Sequence, residues 1–233
     1  MCYQLSLVES IENISKRYRR KAGPSQSERL QTEDEYRVSA YNFPEYPVVT
    51  SDPEIQIAAW GLIPSWIKEP MDAYEIRRKT LNARAETIFK KVSYRDPARS
   101  KRCIIPATGF FEWRHENKKT VPYYIYPNSK EMFSIAGLYD TWEDPDTGDL
   151  IKTFTLITTQ ANPLMSYIHN TKCRMPAILL HNEEETWLDP AASPREIEKM
   201  LKPYPEQYMK AYRVSSDFLR MNPNDPAIIE EAG

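Results

Sequence analysis

Short runs in which apolar and polar residues alternate recur along most of the chain, and this period-two pattern predicts a protein rich in β-strands. Proline-bearing loops and a few segments with helical spacing separate the runs. Strands are predicted at residues 3–8, 36–40, 47–50, 54–60, 103–106, 108–113, 121–126, 132–138, 151–159, 177–180 and 208–214, and helices at 9–21, 71–91, 162–169, 183–188 and 194–201.

The order of these elements favours one α+β domain over residues 1–233, with a mostly antiparallel core of barrel-like sheets and flanking helices. No break in composition divides the chain, and no internal repeat is visible. Residues 121–126 and 132–138 are expected to pair as a hairpin. Residues 22–35 are polar and are expected to form a surface loop.

Composition limits the possible functions. The chain has 233 residues, of which 19 are proline and 6 are glycine, and this ratio favours short rigid connections over flexible linkers. The net charge of -2 argues against a protein that binds polyanions over its whole surface, so a nucleic-acid contact needs a local basic patch. One basic cluster, at residues 16–21, ends the first predicted helix, where it also suits the helix dipole. Ser10 is the expected N-cap of that helix.

The cysteines and the apolar runs indicate where the protein resides. Cys2, Cys103 and Cys173 lack the spacing of a metal site, so we expect reduced thiols, no metal or other cofactor, and a cytoplasmic location. Glu9 and Glu12 interrupt the N-terminal region before it reaches the apolar length of a signal peptide. No stretch approaches the ~20 apolar residues of a membrane span.

The first two residues, Met1-Cys2, carry the most specific candidate chemistry. A small residue at position 2 allows removal of the initiator methionine, after which the chain begins with an α-amine and a thiol on one residue. Both groups ordinarily titrate within about 1.5 units of pH 7. An aldehyde can form a Schiff base with the amine, and the thiol can then close a thiazolidine ring. The alternative is that Cys2 has no chemical role.

Glu112 is the second candidate, because it lies among bulky rings in a predicted strand. Alternation places Glu112 on one face with Phe110, and Phe111 with Trp113 on the other. A buried Glu112 would be a usable general acid or base. The alternative is an exposed carboxylate on a half-solvated strand.

Five further residues have two interpretations each. His169, near the end of a predicted helix, is either a proton carrier or a solvated cap. Trp60 and Trp66 flank a Gly/Pro loop and either stack on unpaired bases or belong to the core. Arg84 and Arg174 either bind phosphates or simply lie at the surface.

Several segments, in chain order, resemble the SOS response-associated peptidase (SRAP) family, and the resemblance covers nearly the whole chain. The segments Asn-Ala-Arg-Ala-Glu at 82–86 and Gly-Phe-Phe-Glu-Trp at 109–113 are its most specific parts. The others are Met1-Cys2 and residues 60–66, 102–106, 136–139, 158–162, 169–176 and 214–215.

This resemblance implies a protein that recognises abasic sites in single-stranded DNA and crosslinks to the sugar aldehyde through a thiazolidine. The implied catalytic residues are Cys2 as nucleophile, Asn82 to position it, Glu112 as acid/base, and His169 for ring opening and proton transfer. The implied DNA contacts are Arg84 and Arg174 to phosphates and Trp66 as a stacking or wedge residue. No obligate protein partner is implied, and we expect a monomer that associates with the nucleoid when bound to DNA.

The sequence departs from the family pattern in two places. Tyr3-Gln4 replaces a common Gly-Arg pair, so the phosphate contact of that arginine is absent or is supplied elsewhere, for instance by residues 17–21. Extra residues also separate His169 from Arg174 where many members have His-x-Arg. We expect His169 to reach the site through a local bulge, but Lys172 occupies the strict register position and is a rival proton carrier.

Two other functions compete with the crosslinking activity. A cysteine peptidase would use a thiol with a nearby histidine and glutamate, and removal of Met1 by the protein itself is one form of such activity. The Schiff base would also permit lyase-type chemistry. A non-covalent single-strand binder would use only aromatic and arginine contacts.

Overall fold

The computed structural model describes residues 2–23, 35–129 and 131–233. Met1, most of the predicted 22–35 loop and Lys130 lie outside the described residues. The strands are β1 (Gln4–Leu7), β2 (Glu35–Ser39), β3 (Glu45–Val48), β4 (Gln56–Trp60), β5 (Asn82–Arg84), β6 (Arg102–Ala107), β7 (Gly109–Glu116), β8 (Lys119–Pro127), β9 (Phe133–Glu143), β10 (Leu150–Gln160), β11 (Arg174–Pro176), β12 (Ile178–Leu179) and β13 (Met209–Arg213).

The helices are short. They are α1 (Ile11–Tyr18), α2 (Pro70–Arg77), α3 (Val92–Arg95), α4 (Pro97–Ser100), α5 (Pro163–Ile168), α6 (Glu184–Leu188) and α7 (Pro194–Met200). Single 3₁₀ turns lie at Ala40–Asn42, Ala85–Thr87, His181–Glu183, Glu206–Tyr208, Phe218–Arg220 and Pro226–Ile229. In the part of the chain that the structure describes, no helix is long and apolar enough to cross a membrane.

The predicted α+β class with mostly antiparallel sheets is confirmed. One sheet has the strand order β13-β8-β7-β1-β2. The other has the order β12-β9-β10-β4-β3, with β5 and β11 added to β10 and β6 added to β9. The pairs of β10 with β4 and with β5 are parallel. Over the described residues the two sheets are not closed into a barrel, so that detail of the prediction is wrong.

The predicted hairpin between residues 121–126 and 132–138 is wrong. β8 pairs with β7 and β13, whereas β9 pairs with β6, β10 and β12 in the other sheet. The reason lies in the preceding turn, where Asn117 and Lys118 have φ angles of 43° and 75°. Two successive positive φ angles give the tight turn that matches strand twist, so β8 folds back on β7.

The predicted helix over residues 71–91 is wrong in its second half. α2 ends at Arg77, and the chain then enters β5, whose residue Asn82 pairs in parallel with Leu156 of β10. The hydroxyl of Thr80 donates to the carbonyl of Leu62 at 2.7 Å, which ties the segment after the helix to the loop that follows β4. Backbone groups that pair with a strand are unavailable to a helix, so β10 decides the conformation here.

The first helix follows its predicted cap. The Ser10 hydroxyl accepts a hydrogen bond of 3.2 Å from the Asn13 amide. The helix ends at Tyr18, earlier than the predicted residue 21, because Arg19 adopts a left-handed conformation with φ of 53°.

β7 separates two hydrophobic cores, as its alternating sequence predicts. Phe110 packs with Leu5 in the large core between the sheets. Phe111 and Trp113 point to the other side and pack on Phe218, with the Phe111 and Phe218 rings 4.8 Å apart. The position of Glu112 on the Phe110 face therefore directs its side chain toward the interior.

Candidate functional site

The C-terminal half of β10 brings two distant segments together. β5 lies along one part of it, with Arg84 opposite Thr158. β11 pairs with the last residues, with Arg174 opposite Gln160. β10, a strand of eleven residues, thus holds β5 on one edge and β11 on the other, and both supply predicted site residues.

Cys2 is held at this junction by two elements. It lies two residues before Gln4, the first residue of β1, which pairs with β7 through Leu5 opposite Phe110. Its carbonyl accepts a hydrogen bond of 2.9 Å from the side-chain amide of Asn82. The residue is fully buried, and its thiol lies 3.7 Å from the carbonyl of Gln4. The main chain at Cys2 is therefore fixed to both sheets.

Glu112 and His169 lie close together in the interior. Glu112 is 2% exposed and His169 is 5% exposed. His169 Nδ1 lies 3.7 Å from Glu112 Oε1 and 2.9 Å from the carbonyl oxygen of Arg174. A carbonyl only accepts, so this geometry favours a proton on Nδ1 and leaves Nε2 able to take one.

A tight turn follows His169 and leads the chain into β11. His169 caps the C-terminus of α5, and its carbonyl accepts a hydrogen bond of 2.9 Å from the amide of Cys173. Cys173 has a positive φ of 48°, which turns the chain into β11. The extra residues are absorbed in this turn, where Lys172 is exposed while His169 is buried.

The thiol of Cys2 is held in its protonated form. Burial raises its pKa well above the ordinary value, and the Glu112 carboxylate raises it further. The Glu112 carboxylate is therefore near enough to the thiol to act on it electrostatically. A positive charge formed beside the thiol would act in the opposite direction and favour the thiolate.

Arg174 faces the protein interior and is engaged there. Its guanidinium binds both carboxylate oxygens of Glu86, and it donates to the carbonyl of Thr158 at 2.5 Å. Arg84 is exposed, with its Nε 3.7 Å from Glu86 Oε2. Partial burial alone would raise the pKa of Glu86, but the hydrogen bonds from Arg174, a backbone hydrogen bond and the charges of Arg174 and Arg84 together lower it below its ordinary value. Glu86 therefore organises both predicted phosphate-binding arginines.

The two predicted loop tryptophans have different environments. Trp60 is fully buried and its indole N–H donates to the carbonyl of Leu81 at 2.8 Å, so the core interpretation is correct for it. Trp66 is 47% exposed. Its loop is held by Asp140, whose carboxylate accepts from the Ser65 amide at 2.9 Å. Trp66 is thus an exposed ring on an anchored loop.

Two members of the basic cluster at the end of α1 are bound within the protein, whereas Lys16, Arg19 and Lys21 are exposed. Arg17 forms a two-pronged ion pair with Glu184, with its shorter bond at 2.7 Å. Arg20 lies 3.4 Å from Glu185. Gln4, in the place where many family members have arginine, is buried and donates to the Ser39 hydroxyl at 3.0 Å. Neither Arg17 nor Gln4 is free to replace the missing arginine contact.

Two residues near the site were not predicted from the sequence. Glu86 binds Arg174. The motif at 82–86 indicates a possible ion pair, because this acid follows Arg84 by two positions. Tyr41 lies beside Tyr3, with ring centroids 4.9 Å apart. The aromatic, proline-bearing loop that follows β2 was the available signal for Tyr41.

Known proteins are similar to this chain over almost its entire length. The family model described as "SOS response associated peptidase (SRAP)" matches residues 1–221. Abasic site processing protein YoqW of Bacillus subtilis (strain 168) is 37% identical over 237 residues, covering 99% of both chains. Abasic site processing protein HMCES of Gallus gallus is 36% identical, covering 80% of this chain and 64% of its own.

Two solved structures share the fold. A protein from Bacteroides thetaiotaomicron superposes with a TM-score of 0.96 at 49% sequence identity, covering 99% of this chain and 100% of that one. A protein from Bordetella bronchiseptica has a TM-score of 0.78 at 24% identity, covering 92% and 100% of the two chains. The second similarity concerns the fold alone.

Proposed function

Because the chain belongs to the SOS response associated peptidase (SRAP) family, we propose that it recognises abasic sites in single-stranded DNA and crosslinks to them through Cys2. The relatives named abasic site processing proteins support the substrate. The observation that carries the proposal is the buried Cys2, tied to Asn82 by a 2.9 Å hydrogen bond and coupled electrostatically to Glu112.

The proposed reaction requires that Met1 be removed, either by the protein itself or by another enzyme. The freed amine of Cys2 attacks the aldehyde carbon of the ring-opened sugar, and water leaves to give a protonated imine. The thiol sulfur then bonds to the imine carbon. The thiol proton leaves, and the electron pair of the C=N double bond moves onto nitrogen, which becomes the ring amine. The product is a thiazolidine. Water is the only by-product.

Glu112 and His169 are the proposed proton carriers. Both are buried, and Glu112 Oε1 lies 3.7 Å from His169 Nδ1, which donates to the carbonyl of Arg174. Each residue therefore carries protons separately, Glu112 through its carboxylate and His169 through Nε2. The positive imine favours the thiolate at the moment of ring closure, which offsets the high pKa that burial and Glu112 impose on the thiol of Cys2. Asn82 holds the carbonyl of Cys2 and thereby the direction of its amine and thiol.

The proposed DNA contacts differ in accessibility. Arg84 lies two residues after Asn82 in β5, on the same face of the strand, and is exposed enough to meet a phosphate. Trp66 is exposed on its anchored loop and suits a wedge or stacking role at the lesion. Arg174 contacts a phosphate only if Glu86 releases it, because Glu86 occupies its guanidinium.

A denaturing gel tests the covalent step. The mature protein is incubated with a single-stranded oligonucleotide that bears one abasic site, and a slower covalent band is expected. Cys2→Ala should abolish this band, whereas Cys103→Ala and Cys173→Ala, which remove the other thiols, should retain it. A band that persists in Cys2→Ala, or no band with the wild type after intact mass shows loss of Met1, overturns the proposal.

The Cys2→Ser variant tests the carbon–nitrogen bond separately from the carbon–sulfur bond. This variant keeps the amine, so borohydride should trap its Schiff base, but it cannot close the sulfur ring. We expect a band only with borohydride, together with strand cleavage if lyase-type chemistry follows the Schiff base. A stable band without borohydride would show that the thiol is not part of the crosslink.

A peptidase that cleaves other proteins is disfavoured by the same site. Such an enzyme uses a thiolate, and burial with the nearby Glu112 carboxylate raises the pKa of the Cys2 thiol. Removal of Met1 is the one peptide cleavage that the proposal includes. Repeated turnover of added peptides would contradict this restriction.

A further inference from the structure

Tyr3 and Tyr41 form an aromatic pair directly beside the proposed nucleophile. Their ring centroids are 4.9 Å apart with an angle of 31° between the planes. Tyr3 follows Cys2 in the chain and is half-buried, while Tyr41 is 60% exposed. The outer ring therefore offers a free surface, and the inner ring supports it.

The pair is fixed by main-chain contacts. The Ala40 amide donates to the Tyr3 carbonyl at 2.9 Å, and β1 pairs with β2 through Gln4 opposite Ser39. On the far side of Tyr41, Phe43 adopts a positive φ of 51° and ends the 3₁₀ turn. A surface whose backbone is already ordered loses little entropy when it binds a flat ligand.

Both phenols share the electrostatic environment of Glu112. Burial raises the pKa of Tyr3 most, and Tyr41 and then Glu112 raise it further. Burial and Glu112 raise the pKa of Tyr41. The two rings are therefore neutral at physiological pH and the charge that acts on them is negative, a setting that suits an uncharged aromatic ligand better than a phosphate.

We propose that Tyr41, supported by Tyr3, is a stacking platform for an unpaired nucleobase adjacent to the abasic nucleotide. This inference rests on the proposed function and assigns the ligand of one surface within it. Every base has a π-face, so such a platform tolerates any sequence. It also accounts for the Tyr3-Gln4 pair: Gln4 is buried against Ser39 and cannot reach DNA, and an aromatic contact takes the place of an arginine contact.

A double-mutant cycle between protein and DNA tests the platform. The oligonucleotides carry a tetrahydrofuran abasic analogue, which has no aldehyde, so affinity is measured without crosslinking. In a second set, the base on one side of the analogue is replaced by a further tetrahydrofuran, for each side separately. With the base present, Tyr41→Ala should weaken binding about tenfold. Removing the base on one of the two sides of the analogue should abolish the effect of Tyr41→Ala on affinity.

Matched variants distinguish stacking from a general loss of structure. Tyr41→Phe keeps the ring and should bind like the wild type. Tyr208→Ala removes another half-exposed tyrosine and should have no effect in any oligonucleotide. An effect of Tyr41→Ala that persists without the neighbouring base on both sides, or no effect at all, overturns the platform.

Crosslinking to an oligonucleotide with a genuine abasic site is measured in parallel with the wild type. If the wild type crosslinks but the affinities show no coupling between Tyr41 and a base, only the stacking platform is rejected. A wild type that fails to crosslink rejects the proposed function, whatever the affinities are.

Discussion

The side-chain amide of Asn82 donates a hydrogen bond of 2.9 Å to the main-chain carbonyl of Cys2, across 80 residues of sequence. The bond joins the start of β1 in one sheet to β5 in the other. It fixes the peptide unit that carries the proposed reacting groups and leaves the amine and the thiol unengaged by Asn82. We infer that Asn82 is a positioning residue.

Asn82→Asp tests this role, because it keeps the shape of the side chain and removes the donor. A carboxylate opposite the carbonyl oxygen repels it, so the crosslinking rate should fall by about tenfold, the equivalent of one hydrogen bond. The backbone pairing of β5 with β10 is unaffected, so the melting temperature should change little. Rates are measured from gels in single-turnover conditions, with Asn13→Asp on the surface of α1 as control. An unchanged rate would contradict a positioning role.

Glu112→Gln should change two properties in opposite directions. Burial and then the Glu112 carboxylate raise the pKa of the Cys2 thiol, so the neutral amide should lower that pKa and shift the pH profile of Cys2 alkylation toward lower pH. Crosslinking should nevertheless slow, because glutamine cannot carry a proton. Alkylation is followed by peptide mass mapping to separate Cys2 from the other thiols.

The control for this pair of effects is Glu54→Gln, which neutralises an exposed carboxylate and should leave both properties unchanged. A variant at Glu112 that alkylates at the wild-type pH would show that the two groups do not interact. A variant with undiminished crosslinking would remove Glu112 from the proton path.

Glu86 should make the stability of the protein depend on pH. Although partial burial opposes them, the hydrogen bonds to Glu86 and the charges of Arg174 and Arg84 together lower its pKa below the ordinary value. The stabilising effect of the carboxylate is therefore fully present above the ordinary pKa and is lost as pH falls through the lowered pKa. The difference in unfolding free energy between the wild type and Glu86→Gln should therefore be largest near about pH 6 and shrink toward about pH 3. Urea unfolding at several pH values measures it. A difference that is constant with pH would exclude this ionic contribution.

The local features of the site could be predicted from the sequence. The burial of Glu112 follows from alternation with Phe110, since a strand that packs one face on a core hides every second residue. The turn after His169 follows from the extra residues before Arg174. Both features are contained in a few consecutive positions.

The contacts made through β10 could not be predicted in the same way. Asn82 lies in a segment with helical composition, and it becomes a strand only because Leu156 of β10 offers a parallel partner. The ion pair of Glu86 with Arg174 depends on the same strand, which places β5 and β11 on either side of it. Pairings between segments far apart in sequence leave no periodic signal, so the structure was needed to find them.

The sequence leaves His169 and Lys172 as rival proton carriers, and their alanine variants should differ sharply in crosslinking rate. His169→Ala removes the imidazole 3.7 Å from Glu112 and should slow crosslinking by about a hundredfold, the lower range for a general acid–base group. Lys172→Ala removes an exposed side chain in the same turn and should leave the rate unchanged, so it serves as the matched control. Reversal is measured by chasing a labelled crosslink with excess unlabelled abasic oligonucleotide, and it should slow in His169→Ala as well, because both directions pass the same protons. If Lys172→Ala were slow and His169→Ala were not, the proton path would run through the lysine and the buried histidine would serve only to hold the carbonyl of Arg174.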